Sequence, residues 1–320
     1  SIPKNRFPFA ASKATRGVDP GDMGRPSQET AAVLPQRLAE GLWVLGNSFF
    51  NLYLVRGMAA SALVDTGISA MADEVIGQLG KLGAKPDYLI VTHPHPDHIN
   101  GLDALRERYP DARVVIGPGA REFLAHPKTE AALVAEDRFM AEFLKSRGYR
   151  PGRPPIGRPP SVNGAEIAGD NETIALGGLT LRILHVGGHA IGNILIHVPE
   201  LKALMAADSL GFRIPSIGFF PIFFTGYADY MAAIDRLEAL KPRILCLAHQ
   251  GPLVGEDARK AFKDAREAAR SLCEEVRNDP RDEDAIINEL YPRFYRDELA
   301  LYTSENIIGC CRLVIRRSRA

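Results

Sequence analysis

The sequence predicts an α/β protein, an αβ/βα sandwich of two sheets packed face to face under helices, with a helical extension at the C-terminus. Three observations carry this: strand-like runs followed by helical stretches in the first half, the same order again in the second, and a helical pattern from Gly251 onward. At 320 residues the chain suits one large domain plus an appendage. Its 46% hydrophobic and 24% charged residues match ordinary globular chains and exclude a disordered or low-complexity protein. Lysine plus arginine equals aspartate plus glutamate, 39 against 39. No global basic field is therefore available for a nucleic acid or an anionic membrane. No apolar run approaches the roughly 18 residues of a membrane span. A basic-then-apolar leader is lacking, and four cysteines are too few for a disulfide framework, so a cytoplasmic location is expected.

The elements follow in order. Residues 1–39, rich at first in Pro, Gly, Ser and charge and without a period, are expected to form a surface arm. From Leu42 the runs LWVLG, NLYLV and SALVD read as successive antiparallel strands ending at Asp65-Thr66-Gly67. Residues 70–82 have a helical period, and YLIVT at 88–92 is a buried strand. A helix at 102–109, a strand at 113–116 and helices within 118–147 follow. The stretch GYRPGRPPIGRPPSVNG cannot continue a helix or enter a sheet centre, because proline lacks the backbone donor; it reads as a rigid surface connector. Strands near 172–175, 180–185, 193–197 and 203–207, a helix at 229–240 and a strand at 243–247 repeat the pattern. Helices at 257–276, 283–290 and 298–315 complete the chain. The first of them has Ala261, Phe262, Ala265, Ala268, Ala269, Leu272 and Val276 on one stripe, which must pack on something. The expected division is a catalytic domain at 40–252 and a helical cap at 253–320.

The loop after YLIVT reads Thr92-His93-Pro94-His95-Pro96-Asp97-His98 and holds three of the eight histidines. Imidazole and carboxylate are ligands for zinc, iron or manganese, and the i, i+2 spacing of His93 and His95 lets two rings converge on one ion from an extended loop. Asp97 and His98 are then placed to face a second. HPHPDH at a strand end resembles the His-x-His-x-Asp-His signature of the metallo-β-lactamase-fold superfamily of hydrolases. The resemblance implies further ligands, each after a predicted strand: His189 in GGHA, Asp208 in AADS and His249 in LAHQG. It implies that His93, His95 and His189 hold one metal, that Asp97, His98 and His249 hold another, and that Asp208 bridges them. It also implies that Asp65 supports the loop through hydrogen bonds. Two divalent ions are expected, zinc first, with iron or manganese acceptable to the same ligands. An ion brings the pKa of bound water to about 7 in zinc enzymes, so the expected chemistry is hydrolysis by a metal-bridging hydroxide that Asp97 orients or deprotonates. His126, His185 and His197 match no motif position; His185 lies near enough to His189 to support it.

Departures from particular branches narrow the substrate. Lactamase branches usually carry Cys or Ser where this chain has Asp208, and glyoxalase II follows its last histidine with Glu rather than Gln250. Flavodiiron proteins replace His95 by Glu, and the nucleases need phosphate-gripping basic clusters that are not evident. The segment LGFRIPSIGFFPIFFTGY after Asp208 should lie over the pocket, with Phe212, Arg213, Phe219, Phe220, Phe223 and Tyr227 as candidate substrate contacts for an apolar or aryl acyl group. The aromatic residues could instead pack the tail or a homodimer. The layout of helix, strand, last histidine and helices resembles the aryl-acyl-CoA thioesterase branch, which implies a small acyl substrate under a helical roof. The leading expectation is a thioesterase or esterase. The alternatives are a one-iron persulfide dioxygenase using His93, His189 and Asp208, a phosphodiesterase, or a regulatory protein acting through its surface.

Overall fold

In a computed structural model describing residues 34–320, each half of the chain builds one sheet. Strands β1 (Gln36–Ala39), β2 (Leu42–Gly46), β3 (Asn51–Arg56) and β4 (Ser61–Val64) run antiparallel in succession. Helix α1 (Ala72–Lys81) crosses to β5 (Tyr88–Ile90), parallel to β4. Helices α2 (Pro96–Ile99) and α3 (Leu102–Arg108) lead to β6 (Arg113–Ile116), and α4 (Ala120–Leu124) and α5 (Pro127–Ser146) lead to β7 (Glu166–Ile167), again in parallel. In the second half β8 (Thr173–Ala175), β9 (Thr180–His185), β10 (Ile194–Val198) and β11 (Ala203–Ala207) are antiparallel neighbours. A separate hairpin, β12 (Phe212–Ile214) and β13 (Gly218–Phe220), follows. Helix α6 (Tyr227–Glu238) then returns the chain to β14 (Ile244–Leu247), parallel to β11, with β15 (Leu253–Val254) at the edge.

Alternation along the strands divides the core. Tyr53 and Val55 face inward with Val44, Val64 and Ile90 to meet Ile183, Ile194, Ile196 and Met205 between the sheets. Leu52, Leu54, Leu63 and Leu89 face outward and join Val75 and Leu79 of α1. Both faces of the central strands are thus buried, which is why LWVLG and ALMAA read as nearly continuous apolar runs. Among the described residues no helix is long and apolar enough to cross a membrane.

The extension comprises α7 (Glu256–Asn278), α8 (Glu283–Phe294), a 3-10 turn (Asp297–Leu301) and α9 (Ser304–Arg319). Buried Ala258, Ala261, Phe262, Ala265, Ala269, Leu272, Cys273 and Val276 form the stripe of α7, in one apolar cluster with α6, β13, α8 and α9.

Several expectations need correction, among them the helical pattern from Gly251 onward: the edge strand β15 at Leu253–Val254 comes before α7 begins. Residues 36–39 are an edge strand rather than part of an arm; the rest of the expected arm, 1–33, lies outside the described residues. A short strand at 166–167 was not foreseen, because two exposed residues carry no periodicity. The helix expected at 298–315 is broken: Tyr302 and Thr303 are extended, and the Thr303 side chain accepts from the Asn306 amide at 3.1 Å as a helix cap. The proline-rich connector is strapped down by Arg153 to Asp73 and Glu107, by the Ile156 amide to buried Asp137, and by the Ser161 amide to Asp103.

Candidate metal centre

Proline shapes the central loop. A residue before proline is driven out of helical space, and His95 is extended (φ −85°, ψ 157°) where Pro96 opens α2. His93 and His95 therefore project from an extended segment, and the turn of α2 then presents Asp97 and His98. The remaining candidates sit just beyond strand ends. β11 and β14 are parallel neighbours, so Asp208 and His249 emerge side by side; β4 and β5 do the same for Asp65 and the histidine loop. Backbone strain gathers here: Ala207 before Asp208, Gln250 after His249, and Asp65 all have positive φ. Gly188 is required, since a Cβ there would lie 2.3 Å from Tyr230 Cα on α6. The His249 loop is stitched to the β2–β3 turn by Asn51 N to Ala248 O at 2.8 Å and Gly251 N to Asn51 Oδ1 at 2.7 Å.

The structure brings seven side chains into two overlapping donor sets. His93, His95, His189 and Asp208 form one, Asp97, His98, Asp208 and His249 the other, with the ligand atoms of each set within 4.8 Å of one another. The outer nitrogen of most rings is committed. His189 Nδ1 donates to Ile222 O at 3.1 Å, His249 Nδ1 to Phe49 O at 2.8 Å, and His98 Nδ1 to Asp65 Oδ2 at 2.9 Å. Thr92 Oγ1 donates to Asp65 at 2.8 Å, so it accepts from His93 Nδ1 at 3.1 Å. Each of these four imidazoles is left with Nε2 aimed at the centre. His93 Nε2 stands 3.0 Å from His95 Nδ1 and 3.2 Å from His189 Nε2. Converging, buried donor nitrogens of this kind fit a cation, and two carboxylates among them fit a pair of divalent ions.

The two sets differ in charge. Burial first, then the neighbouring imidazoles, holds His93 below the ordinary histidine range and His95 down to about 3, and burial lowers His189 against the upward pull of Asp208 and the Ile222 carbonyl. Burial opposes the charged form of His98 and His249 too, but Asp97, Asp65 and Asp208 outweigh it at His98, and Asp97 and Asp208 outweigh it at His249, so both are raised. Burial likewise acts upward on Asp97, and His98 and His249 more than offset it, leaving the carboxyl well below its usual range.

Aromatic walls surround the centre unevenly. Phe212 lies against the His249 ring at 4.6 Å between centroids. Phe224, absent from the sequence-based contacts, lies 5.5 Å from His189 and 6.4 Å from His95. The other candidates are placed otherwise. Phe220 stacks on Phe294 of α8 at 4.2 Å, and fully buried Phe223 packs against Tyr227 and Tyr230. Phe219 and Arg213 pair across the hairpin, and Tyr227 lies under Arg277. Phe220 and Tyr227 thus pack on the extension, and Phe223 packs on α6. His185 bonds Ala168 O, His126 caps α5, and His197 is buried on β10.

Sequence reasoning missed two participants. Thr92 ties Asp65 to His93 and His98, and its only sequence signal was adjacency to the motif. Tyr302 comes from the extension, its hydroxyl donating to Asp97 Oδ2 at 2.8 Å and lying 3.4 Å from His249 Nε2. Some 200 residues separate it from the motif, so no local pattern could reveal it.

Comparison with known proteins agrees with this geometry. Residues 46–249 match the family described as the metallo-beta-lactamase superfamily. A hydroxyacylglutathione hydrolase of Ruegeria pomeroyi is 30% identical over 195 residues, covering 58% of this chain and 59% of that protein. An acyl-coenzyme A thioesterase, MBLAC2 of Gallus gallus, is 26% identical over 225 residues, covering 64% and 75%. Among solved structures, the archaeal superfamily protein ST1585 from Sulfolobus tokodaii superposes with a TM-score of 0.57 at 21% identity, covering 87% and 98% of the two chains. A beta-lactamase domain protein from Burkholderia ambifaria gives 0.62 at 19%, covering 92% and 91%.

Proposed function

Because the chain belongs to the metallo-beta-lactamase superfamily, we propose that it is a dinuclear metal-dependent hydrolase of an ester-like bond, a thioester of an apolar or aryl acyl group ahead of a simple ester. The observation that carries this reading is the pair of donor sets sharing Asp208. Asp97, His98 and His249 complete a second set that would hold a second ion; a one-iron dioxygenase keeps the same signature, so the number of ions bound decides between the two. Bound there, divalent ions supply Lewis acidity toward an acyl oxygen and bring the pKa of water toward about 7. The protein's own part is orientation. Asp97 Oδ2 stands 3.1 Å from His249 Nε2 and 3.3 Å from His98 Nε2, where it would orient the attacking water and accept its proton. Phe212 beside His249 and Phe224 beside His189 offer apolar faces to an acyl group. The thioesterase relative supports the choice of thioester.

The test is elemental analysis of the purified chain at known concentration, followed by a panel of aryl and acyl thioesters with and without chelation. Two ions per chain are expected, with hydrolysis lost on chelation and regained on adding zinc, iron or manganese. A single iron together with oxygen consumption, or turnover of phosphodiesters alone, would replace the reading.

A further inference from the structure

The break in the last predicted helix is held by several bonds. Tyr302 is extended (φ −99°, ψ 158°) between the 3-10 turn and α9. Its carbonyl accepts from Tyr295 Oη at 3.1 Å, and Tyr291 Oη bonds Ser304 Oγ at 3.0 Å. On the next residue, Thr303 N donates to Glu136 Oε2 at 3.1 Å and Thr303 Oγ1 donates to Glu136 Oε1. Glu136 is a buried carboxyl of α5. Burying a carboxyl is costly unless hydrogen bonds repay it. Capping α9 does not require it, because Thr303 already satisfies the Asn306 amide. What Glu136 adds is a fixed junction between catalytic domain and extension one residue from Tyr302.

The side chain of Tyr302 is equally constrained. Its ring meets Phe212 edge-on at 6.1 Å and His249 at 6.4 Å. Its hydroxyl ends within hydrogen-bond reach of Asp97 Oδ2, the oxygen that also faces His98 and His249. A donor at that place lies beside the second donor set, on a rigid support and in a water-poor setting, the conditions under which an oriented donor stabilises developing negative charge best. Thr92, the other hydroxyl of the centre, is fixed behind His93 and His98 by Asp65, whereas the single phenol hydrogen of Tyr302, which rests on Asp97 Oδ2 at 2.8 Å, has only to turn about its C–O bond to reach a substrate oxygen beside that carboxylate.

We propose that Tyr302, delivered by the C-terminal extension, is a catalytic residue whose hydroxyl donates a hydrogen bond to the substrate oxygen that gains negative charge beside Asp97 and His249. The O–H bond stays intact, and no proton is transferred from it. The assignment rests on the acyl-hydrolase reading for its substrate, and it makes the extension a working part of the centre as well as a roof.

Tyr302→Phe tests it, since the ring and its packing remain. The zinc-loaded full-length chains are compared in metal content, thermal midpoint, kcat and KM on a responsive thioester, and calorimetric affinity for phenylphosphonate, a tetrahedral oxyanion. The variant should keep two ions and the wild-type midpoint, lose kcat by about 100-fold with KM nearly unchanged, and bind phenylphosphonate about tenfold more weakly. Unchanged phenylphosphonate affinity overturns the assignment whatever the wild type hydrolyses. Loss of an ion overturns it too, because the hydroxyl then serves the metal and not the substrate. If the loaded wild type cleaves no acyl bond while its phenylphosphonate affinity still depends on Tyr302, the acyl-hydrolase reading falls and the donor role stands.

Discussion

The two donor sets are built on different principles. His93 and His95 come from one loop that its prolines shape, and His189 and the shared Asp208 arrive from the second half; burial first of all holds the three imidazoles below the ordinary histidine range. The second set takes Asp97 and His98 from α2 and His249 from the far sheet, then abuts Phe212 from the hairpin and Tyr302 from the extension. Its imidazoles are biased toward the charged form by carboxylates. Each set thus takes two donors from the loop and two from the second half, but the second also abuts the hairpin and the extension directly, through Phe212 and Tyr302. Disturbance far from the centre should reach the second set first.

Removing what the sets share should erase the contrast. Asp208→Ala is expected to leave fewer than one ion per chain and to lower hydrolysis by about 1,000-fold or more, read by elemental analysis and kcat/KM. Asp65→Ala should sharpen the contrast. Asp65 bonds His98 directly and reaches His93 only through Thr92, so affinity for one ion should fall by about 10–100-fold with a smaller loss for the other, seen in a zinc titration with two resolved steps.

Acidity should separate the sets in chelated protein. His93, His95 and His189 are lowered, so their contribution to stability is present above the unfolded value of 6.5 and lost as pH falls through the folded values. His98 and His249 are raised, so theirs is present below 6.5 and lost as pH rises through the folded values. Thermal midpoints in chelator should show His189→Asn flattening the acid limb and His249→Asn the alkaline limb; the reverse assignment would refute the charge contrast. The smallest effect is expected from the extension. Phe294→Leu removes the stack on Phe220, costing about 1 kcal/mol in a denaturant titration, and should weaken the second ion more than the first.

Much of this was legible in the chain. Strands at 42–46, 113–116, 180–185 and 203–207 coincide with their apolar runs, because burial on both faces leaves an unambiguous signal. His93, His95, Asp97 and His98 stand out because imidazole and carboxylate crowded just after a buried strand have little structural use, and the resemblance to the superfamily motif then implied His189, Asp208 and His249. The aromatic run after Asp208 misled: its composition suits a pocket wall as well as a core, and only packing shows that Phe220 stacks on the extension and Phe223 on α6 while Phe212 and Phe224 face the histidines. Tyr302 was hidden because Leu299, Ala300 and Leu301 continue a helical spacing through a residue whose cap signal, Thr303, is weak by itself.

By itself the sequence determined the sandwich, the extension and the donors of the 93–98 loop, since periodicity and proline act over a few residues and need no partner to be read, while the resemblance to the superfamily motif implied His189, Asp208 and His249. Only the tertiary structure decided which aromatic side chains face the centre and that a tyrosine from the extension reaches Asp97. Those placements depend on where distant elements dock, and docking is set by the fit of whole surfaces, which no short stretch of chain encodes.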